Sequence, residues 1–113
     1  MRYLSIYRPA AGEEGGVPDA AHMQAMGRLV EEWTRKGKLI ATEPLMARSQ
    51  CAKVRRENGK VTVSDVEERA GGYAFLNADS REEAIELCKI FLEAAGDGET
   101  EIRAILEFAP QPA

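Results

Sequence analysis

The sequence predicts an α+β fold of the ferredoxin-like type, an antiparallel sheet with both helices on one face. Three observations lead to this fold class. Hydrophobic periodicity divides the chain into two strand–helix–strand halves. Between the halves lies Asn58-Gly59, a strong signal for a tight β-hairpin. The second helix has sharp boundaries, because Ser80 and Glu83 form an S-x-x-E capping box before it and Gly96 follows its apolar residues.

The first predicted element is a strand from Arg2 to Tyr7. Its side chains alternate between two sides, Leu4 and Ile6 on one and Tyr3, Ser5 and Tyr7 on the other. Residues 9–17 follow as a loop, because glycine, proline and acidic residues interrupt any hydrophobic period there.

A long helix follows this loop, with Asp19 as the predicted N-cap and Gly37 after its end. Its apolar residues recur at helical spacing, which is typical of a helix with one buried face: Met23, Met26, Leu29, Val30 and Trp33. The next strand is predicted from Leu39 to Met46. Pro44 lies within this strand and indicates an edge position or a bend, because proline cannot donate to a sheet ladder.

The second half of the chain follows an inserted hairpin, whose strands run from Cys51 to Arg56 and from Lys60 to Ser64. Gly72 to Ala78 carries apolar or aromatic residues on both sides, as an inner strand does. After the second helix, Thr100 to Phe108 closes the domain. We therefore expect one domain over residues 1–108 and a flexible tail over residues 109–113.

The composition excludes several classes of protein. Apolar residues make up 44% of the chain and charged residues 30%, as in an ordinary globular domain. No run of about 18 apolar residues is long enough to span a membrane. The N-terminus lacks the apolar core of a signal peptide, so we expect a reducing cytoplasm. The net charge of −4 arises from interspersed charges of both signs, which argues against a nucleic-acid partner.

The sequence also contains no motif for a cofactor: no phosphate-binding glycine loop, flavin fingerprint or cluster of metal ligands. Cys51 and Cys88 lack zinc-site spacing, and the single histidine does not complete a zinc site with them. Cys88 lies in the apolar stripe of the second helix and is therefore interpreted as a small buried residue.

With both helices on one face, the other face of the predicted sheet has no cover. The aromatic residues expected on it, Tyr3, Tyr7, Tyr73 and Phe75, are too apolar a group to leave in water. We therefore expect a homodimer in which the open sheet faces of two copies cover each other.

Five short motifs occur in order from the hairpin to the last strand: Gly59-Lys60, Asp65, Gly71-Gly72-Tyr73, Glu83-Ala84-Ile85 and Glu101-Ile102-Arg103. In this order and spacing they resemble the YCII-related, or DGPF-domain, family. The resemblance covers roughly Lys36 to Phe108, with a weaker match in the first strand and helix. It implies a fold of the dimeric α/β-barrel type, in agreement with the periodicity.

Most members of this family have no assigned function, and its fold is shared with isomerases, monooxygenases and ligand-binding regulators. The YCII branch has a proposed histidine–aspartate active site, and its histidine lies early in the first helix, as His22 does here. The family's Asp-Gly-Pro-Phe turn reads Asp65-Val66-Glu67-Glu68 in this chain. Only Asp65 of that motif therefore carries over.

Two residues are candidates for proton transfer. His22 projects at the edge of the apolar stripe of the first helix, where an imidazole suits a general acid or base. The same position also suits a partly buried histidine hydrogen-bonded to a neighbour, or a ligand contact without proton transfer. Asp65 orients His22, binds a cation, or caps its own turn.

Four further residues are candidate ligand contacts. Glu101 and Arg103 are two residues apart on one strand and therefore share a face. They form a surface ion pair, or Arg103 binds a carboxylate ligand. Glu43 faces either solvent or a pocket. Tyr73 either donates a phenol hydrogen bond or packs in the dimer interface.

Two functions remain open from the sequence. The favoured one is a small dimeric domain that binds a small carboxylated or aromatic metabolite without a bound cofactor. The alternative is a cofactor-free isomerase or lyase, in which His22 moves a proton, Asp65 orients it and Arg103 holds an anion. The missing Gly-Pro-Phe turn favours the binding domain slightly, and the sequence leaves undecided whether the protein is an enzyme.

Overall fold

Two helices lie against one face of a four-stranded antiparallel sheet in the computed structural model, which describes residues 1–10 and 20–107. The predicted N-cap Asp19, Phe108 and the tail lie outside these residues. The elements are, in chain order, β1 (Arg2–Pro9), α1 (Ala20–Arg35), β2 (Leu39–Pro44), β3 (Lys53–Glu57), β4 (Lys60–Ser64), β5 (Gly72–Asn77), α2 (Arg81–Ala95) and β6 (Gly98–Ala104). The predicted α+β fold class is confirmed.

The sheet has the strand order β2-β5-β1-β6, and each neighbouring pair is antiparallel. This is the order of a ferredoxin-like fold, since the first strand of each half lies beside the last strand of the other. β5 lies between β2 and β1, so the predicted inner strand is confirmed. β2 lies at the edge, where Pro44 is tolerated, and its register shifts between Leu39 and Ala41.

The register across β1 decides which side chains face the helices. Tyr3 lies opposite Leu76, and both are buried in the core. Tyr7 packs edge-on against Phe91 of α2, with ring centroids 5.3 Å apart. The prediction that Tyr3 and Tyr7 lie on the open face is therefore wrong. Alternation along a strand shows which residues share a side, but not which side receives the helices.

The open face of the sheet carries the other set of side chains from β1 and β5. Leu4 lies opposite Phe75 and Ile6 opposite Tyr73, and all four are half-buried. The rings of Tyr73 and Phe75 contact each other edge-on at 5.7 Å. For Tyr73 and Phe75 the expected placement on the open face is thus confirmed.

The hydrophobic core lies between the sheet and the helices and takes more of its buried residues from α2 than from α1. Its buried apolar members are Tyr3, Trp33, Leu39, Leu76, Ala78, Ala84, Leu87 and Cys88. The interpretation of Cys88 as a small buried residue is confirmed. The core takes Trp33 from α1, whereas the rest of that helix's apolar stripe borders the cleft described below.

β3 and β4 form a separate two-stranded sheet, here called the hairpin arm (residues 53–64). Asn58 and Gly59 join the two strands with φ angles of 51° and 79°. A two-residue hairpin turn of type I′ needs a positive φ at both positions, so the predicted Asn-Gly hairpin is confirmed. Every residue of the arm is exposed.

The N-terminus of α2 is held by a side-chain cap. The Ser80 Oγ accepts a hydrogen bond from the Glu83 N–H at 3.1 Å. Glu83 in turn accepts from the Asp79 N–H at 3.1 Å and from the Lys38 Nζ at 2.7 Å. The Lys38 ammonium, followed by the Asp79 N–H, lowers the pKa of the Glu83 carboxyl.

Replacing Ser80 with alanine is expected to lower the free energy of unfolding by about 1 kcal/mol, because the Glu83 N–H loses its side-chain acceptor. Urea denaturation followed by circular dichroism measures the change. Ser64→Ala is the matched control, since Ser64 ends β4 and is exposed. Equal losses in the two variants would show that the cap contributes nothing.

Candidate functional site

A cleft of about 1360 Å³ lies between α1, α2, the helix-facing side of the sheet and residues 44–50. Its apolar walls come from both helices and the sheet: Met23, Met26, Leu29, Val30 and Trp33 from α1, Leu87, Cys88, Phe91 and Ala95 from α2, and Tyr7, Leu39, Ala74 and Leu76 from the strands. A large concave apolar surface with few polar groups is what most small-molecule sites share.

The cleft exists because α1 covers the sheet incompletely. Of the five stripe residues predicted to be a buried helix face, Trp33 is buried, whereas Met23 is 55% and Val30 40% exposed. These two side chains and Met26 border the cleft instead of filling the core. Apolar side chains left uncovered on a concave surface indicate a binding site rather than a packing defect.

Polar groups meet at one end of the cleft, where α2 ends. The Tyr7 hydroxyl donates a hydrogen bond to the carbonyl oxygen of Asp97 at 3.3 Å. The His22 imidazole lies beside Gly96, so that a Cβ at Gly96 would be 3.5 Å from Cε1 and 3.7 Å from Nε2. All four residues border the cleft. We call Tyr7, His22 and Asp97 the polar corner.

The Tyr7 ring is held by close neighbours on several sides. A Cβ at Gly71 would lie 3.1 Å from its Cδ2, and a Cβ at Gly98 would lie 3.0 Å from its Cε1. Phe91 supports the ring edge-on. Tyr7 is absent from the site residues that the sequence predicts, because the predicted sheet places its side chain on the open face. In the sequence, the signal for this packing is glycine at positions 71 and 98, where a larger residue would contact the Tyr7 ring.

His22 and Asp65, the two predicted catalytic residues, lie in different surroundings. His22 lines the cleft, whereas Asp65 is exposed in the segment after β4 and does not border it. The described residues thus give the two side chains no shared cavity. Their pairing in proton transfer stays a prediction from the sequence.

Glu101 and Arg103 lie on the open face of the sheet, away from the cleft. The Arg103 Nε donates to Glu101 at 2.6 Å, and the Arg8 Nη1 donates to the same carboxylate at 3.4 Å. Arg103 first, and Arg8 to a lesser degree, lower the pKa of the Glu101 carboxyl, and Glu101 raises the pKa of Arg103. A smaller cavity of about 570 Å³ borders Arg8, Glu68 and Glu101.

Tyr73 and Glu43 lie at the β2 edge of the cleft, although the strand register puts both side chains on the open face of the sheet. The Tyr73 hydroxyl donates to Glu43 Oε1 at 3.1 Å, and this hydrogen bond is the main cause of the raised pKa of Tyr73. The phenol is therefore a donor across the neutral pH range. The Thr42 hydroxyl donates to the Tyr73 carbonyl oxygen at 2.8 Å and ties the two strands at this edge. Of the six predicted site residues, His22, Tyr73 and Glu43 border the cleft.

Two further findings concern the described part of the chain alone. Within residues 1–10 and 20–107, no three histidine, cysteine, aspartate or glutamate side chains are placed to share a metal ion. Neither helix in these ranges has the length and apolar character needed to cross a bilayer.

Comparison with known proteins shows similarity at the level of the fold. No family model and no curated protein matches this chain. A solved structure that does match is 5-chloro-2-hydroxyhydroquinone dehydrochlorinase (TftG) from Burkholderia phenoliruptrix AC1100, in complex with 2,5-dihydroxybenzoquinone. The TM-score is 0.53 at 14% sequence identity, and the match covers 96% of each chain. This likeness supports the dimeric α/β-barrel type of fold, and membership in the YCII-related family stays an expectation from the sequence.

Proposed function

We propose that this chain binds a small organic molecule in the cleft between α1 and the sheet. The observation that supports this function is a cleft of about 1360 Å³ with apolar walls and a polar corner at one end. Ligand sites usually enclose about 300–1000 Å³, so the cleft has room for such a molecule.

The chemistry of the walls favours a planar ring with one or two oxygen substituents. Trp33 and Phe91 offer flat aromatic surfaces, and Met23 and Met26 adapt their shape to a ligand. At the polar corner, His22 and the Tyr7 hydroxyl are suited to bind phenol, quinone or carboxylate oxygens. The ligand class is therefore the small carboxylated or aromatic metabolite expected from the sequence. TftG was determined with a small dihydroxyquinone, which suggests this class of compound for the first tests.

A second candidate function is a cofactor-free isomerase or lyase. The position of the His22 imidazole at the polar corner favours it, because a general acid or base must reach the bound ligand. In this function His22 moves a proton, and Asp65 orients it as the sequence suggests. Arg103 lies on the open face with Glu101, on the other side of the sheet from the cleft, so its role in holding an anion stays a prediction from the sequence. Loss of turnover with retained binding in His22→Gln would distinguish this function from simple binding.

We further propose that the protein works as a homodimer through the open sheet face. Leu4, Ile6, Tyr73 and Phe75 form a half-buried apolar strip on that face. A second copy related by two-fold symmetry is the most economical cover for such a strip.

Replacing Met26 with glutamate is expected to weaken ligand binding at least about tenfold, because a carboxylate in the apolar wall is costly to desolvate. The probes are 2,5-dihydroxybenzoquinone and 4-hydroxybenzoate, with affinities measured by isothermal titration calorimetry. Trp33 is the only tryptophan and borders the cleft, so its fluorescence gives a second readout.

Ile90→Glu is the matched control, since Ile90 is 47% exposed on α2 and does not border the cleft. This variant should bind like the unsubstituted protein. Equal affinities in Met26→Glu and Ile90→Glu would place the ligand elsewhere. Absence of binding for both probes would overturn the proposed ligand class.

A further inference from the structure

The hairpin arm carries an apolar face that its own chain leaves uncovered. Val54 lies opposite Val63, and Arg56 lies opposite Val61, so these four side chains share one face of the two-stranded sheet. The exposed fractions of Val54, Val61 and Val63 are 66%, 60% and 70%. The other face is polar throughout: Lys53, Arg55, Glu57, Lys60, Thr62 and Ser64. We call the first side the valine face.

A hairpin whose apolar side chains are this exposed gains little stability from packing within its own chain. An isolated two-stranded hairpin is marginally stable in water, and its apolar side chains normally pack against another element. Three β-branched apolar residues aligned on one side therefore indicate a surface that is covered when the protein is assembled.

The charge of the arm indicates what covers it. The arm has a net charge of +3, since it contains four basic residues (Lys53, Arg55, Arg56 and Lys60) and one acidic residue, Glu57. The whole chain has a net charge of −4, so the rest of the chain carries −7. Contact between two arms would bring like charges together. Contact between an arm and the body of another copy brings opposite charges together, which favours encounter and sets orientation.

We propose that the valine face of one copy's hairpin arm docks on the open sheet face of a second copy. This inference rests on the proposed homodimer and names the segment that covers the apolar strip of Leu4, Ile6, Tyr73 and Phe75. On that face Glu99 and Glu101 lie beside the strip together with Arg8 and Arg103, so the apolar contact, rather than a local excess of acidic charge, holds the docked arm. In a two-fold dimer the contact occurs twice, which brings the buried area toward the roughly 800 Å² per partner of a stable interface.

The test compares two double substitutions on the same strand. Val61→Glu with Val63→Glu adds two acidic groups to the valine face, whereas Thr62→Glu with Ser64→Glu adds the same charge to the polar face. Sedimentation velocity of the full chain should show the unsubstituted protein and the polar-face variant at twice 12.4 kDa. The valine-face variant should dimerise about 100-fold more weakly or worse, since it loses apolar burial and places two carboxylates in an apolar contact.

A second measurement does not depend on a variant. In a mixed dimer of isotope-labelled and unlabelled protein, filtered nuclear Overhauser effects should connect the methyl groups of Val61 and Val63 with the ring of Phe75 in the other copy. The contacts should be absent within a single copy, since all arm residues are exposed there.

The outcomes separate the arm from the dimer and from the ligand site. A dimer that survives the valine-face substitutions and lacks these contacts would overturn the arm contact and leave the homodimer standing. If the unsubstituted protein is a monomer, both the arm contact and the homodimer are overturned. The same holds if it is a monomer whose arm binds duplex DNA through its basic residues. Ligand affinity in the cleft is measured separately and decides the proposed function by itself.

Discussion

Replacing Tyr3 with alanine is expected to lower the free energy of unfolding by about 3–5 kcal/mol, because a buried aromatic side chain is removed and leaves a cavity. Tyr3 is 5% exposed in the centre of the sheet. It lies opposite Leu76 of β5 on one side and Ala104 of β6 on the other. Neither main-chain neighbour can move into the space, since both belong to the sheet.

Tyr73→Ala is the matched comparison and is expected to cost about 1–2 kcal/mol, since Tyr73 is half-buried on the open face. The two variants should be compared by urea denaturation at a protein concentration where the protein is monomeric. If both tyrosines lay on the open face, as the sequence alone predicts, the two losses would be similar. Similar losses would therefore contradict the assignment of Tyr3 to the core.

Replacing Gly98 with alanine is expected to lower the free energy of unfolding by about 3 kcal/mol. Gly98 has a φ of 154°, and a Cβ there would lie 2.5 Å from the Arg8 carbonyl oxygen and 3.1 Å from the Pro9 Cα. Both are main-chain atoms of β1, so a methyl group forces β1 and β6 apart. The same Cβ would lie 3.0 Å from the Tyr7 ring, which couples this strain to the polar corner.

The same substitution at Gly27 is expected to have the opposite sign. Gly27 is exposed in α1, and a Cβ there meets nothing within 4 Å. Alanine should raise the free energy of unfolding by about 0.5–1 kcal/mol, because glycine is a poor helix former. Thermal and urea denaturation measure both variants. A Gly98→Ala variant as stable as the unsubstituted protein would show that the contacts at Gly98 do not limit stability, and a destabilised Gly27→Ala variant would contradict the expected gain in helix propensity.

Local patterns along the chain were sufficient for most of the fold. The Asn58-Gly59 turn, the cap at Ser80 and the glycine after α2 depend on chemistry within a few residues, and each was predicted from that chemistry. Several strand ends differ: β1 ends at Pro9, β2 ends at Pro44, β3 runs over Lys53–Glu57, β5 ends at Asn77 and β6 runs over Gly98–Ala104. Strand ends depend on the partner strand, which a local pattern does not contain.

The candidate site was predicted less completely. His22 was selected because a lone histidine beside an apolar stripe has a recognisable chemistry. Tyr7 was missed, because its place in the polar corner requires Phe91, Asp97 and the glycines around it, which come from three distant parts of the chain. Whether Asp65 and Arg103 act with His22 stays a prediction.

The sequence by itself determined the identity and order of the helices and strands, the hairpin turn and the helix cap, because these depend on periodicity and short-range hydrogen bonding. Only the tertiary structure decided which side of β1 meets the helices, since both sides of that strand are apolar enough to be buried. It also decided that the stripe of α1 borders a cleft instead of filling the core. That outcome depends on the distance between α1 and the sheet, which is set by many packing contacts together and not by any single residue.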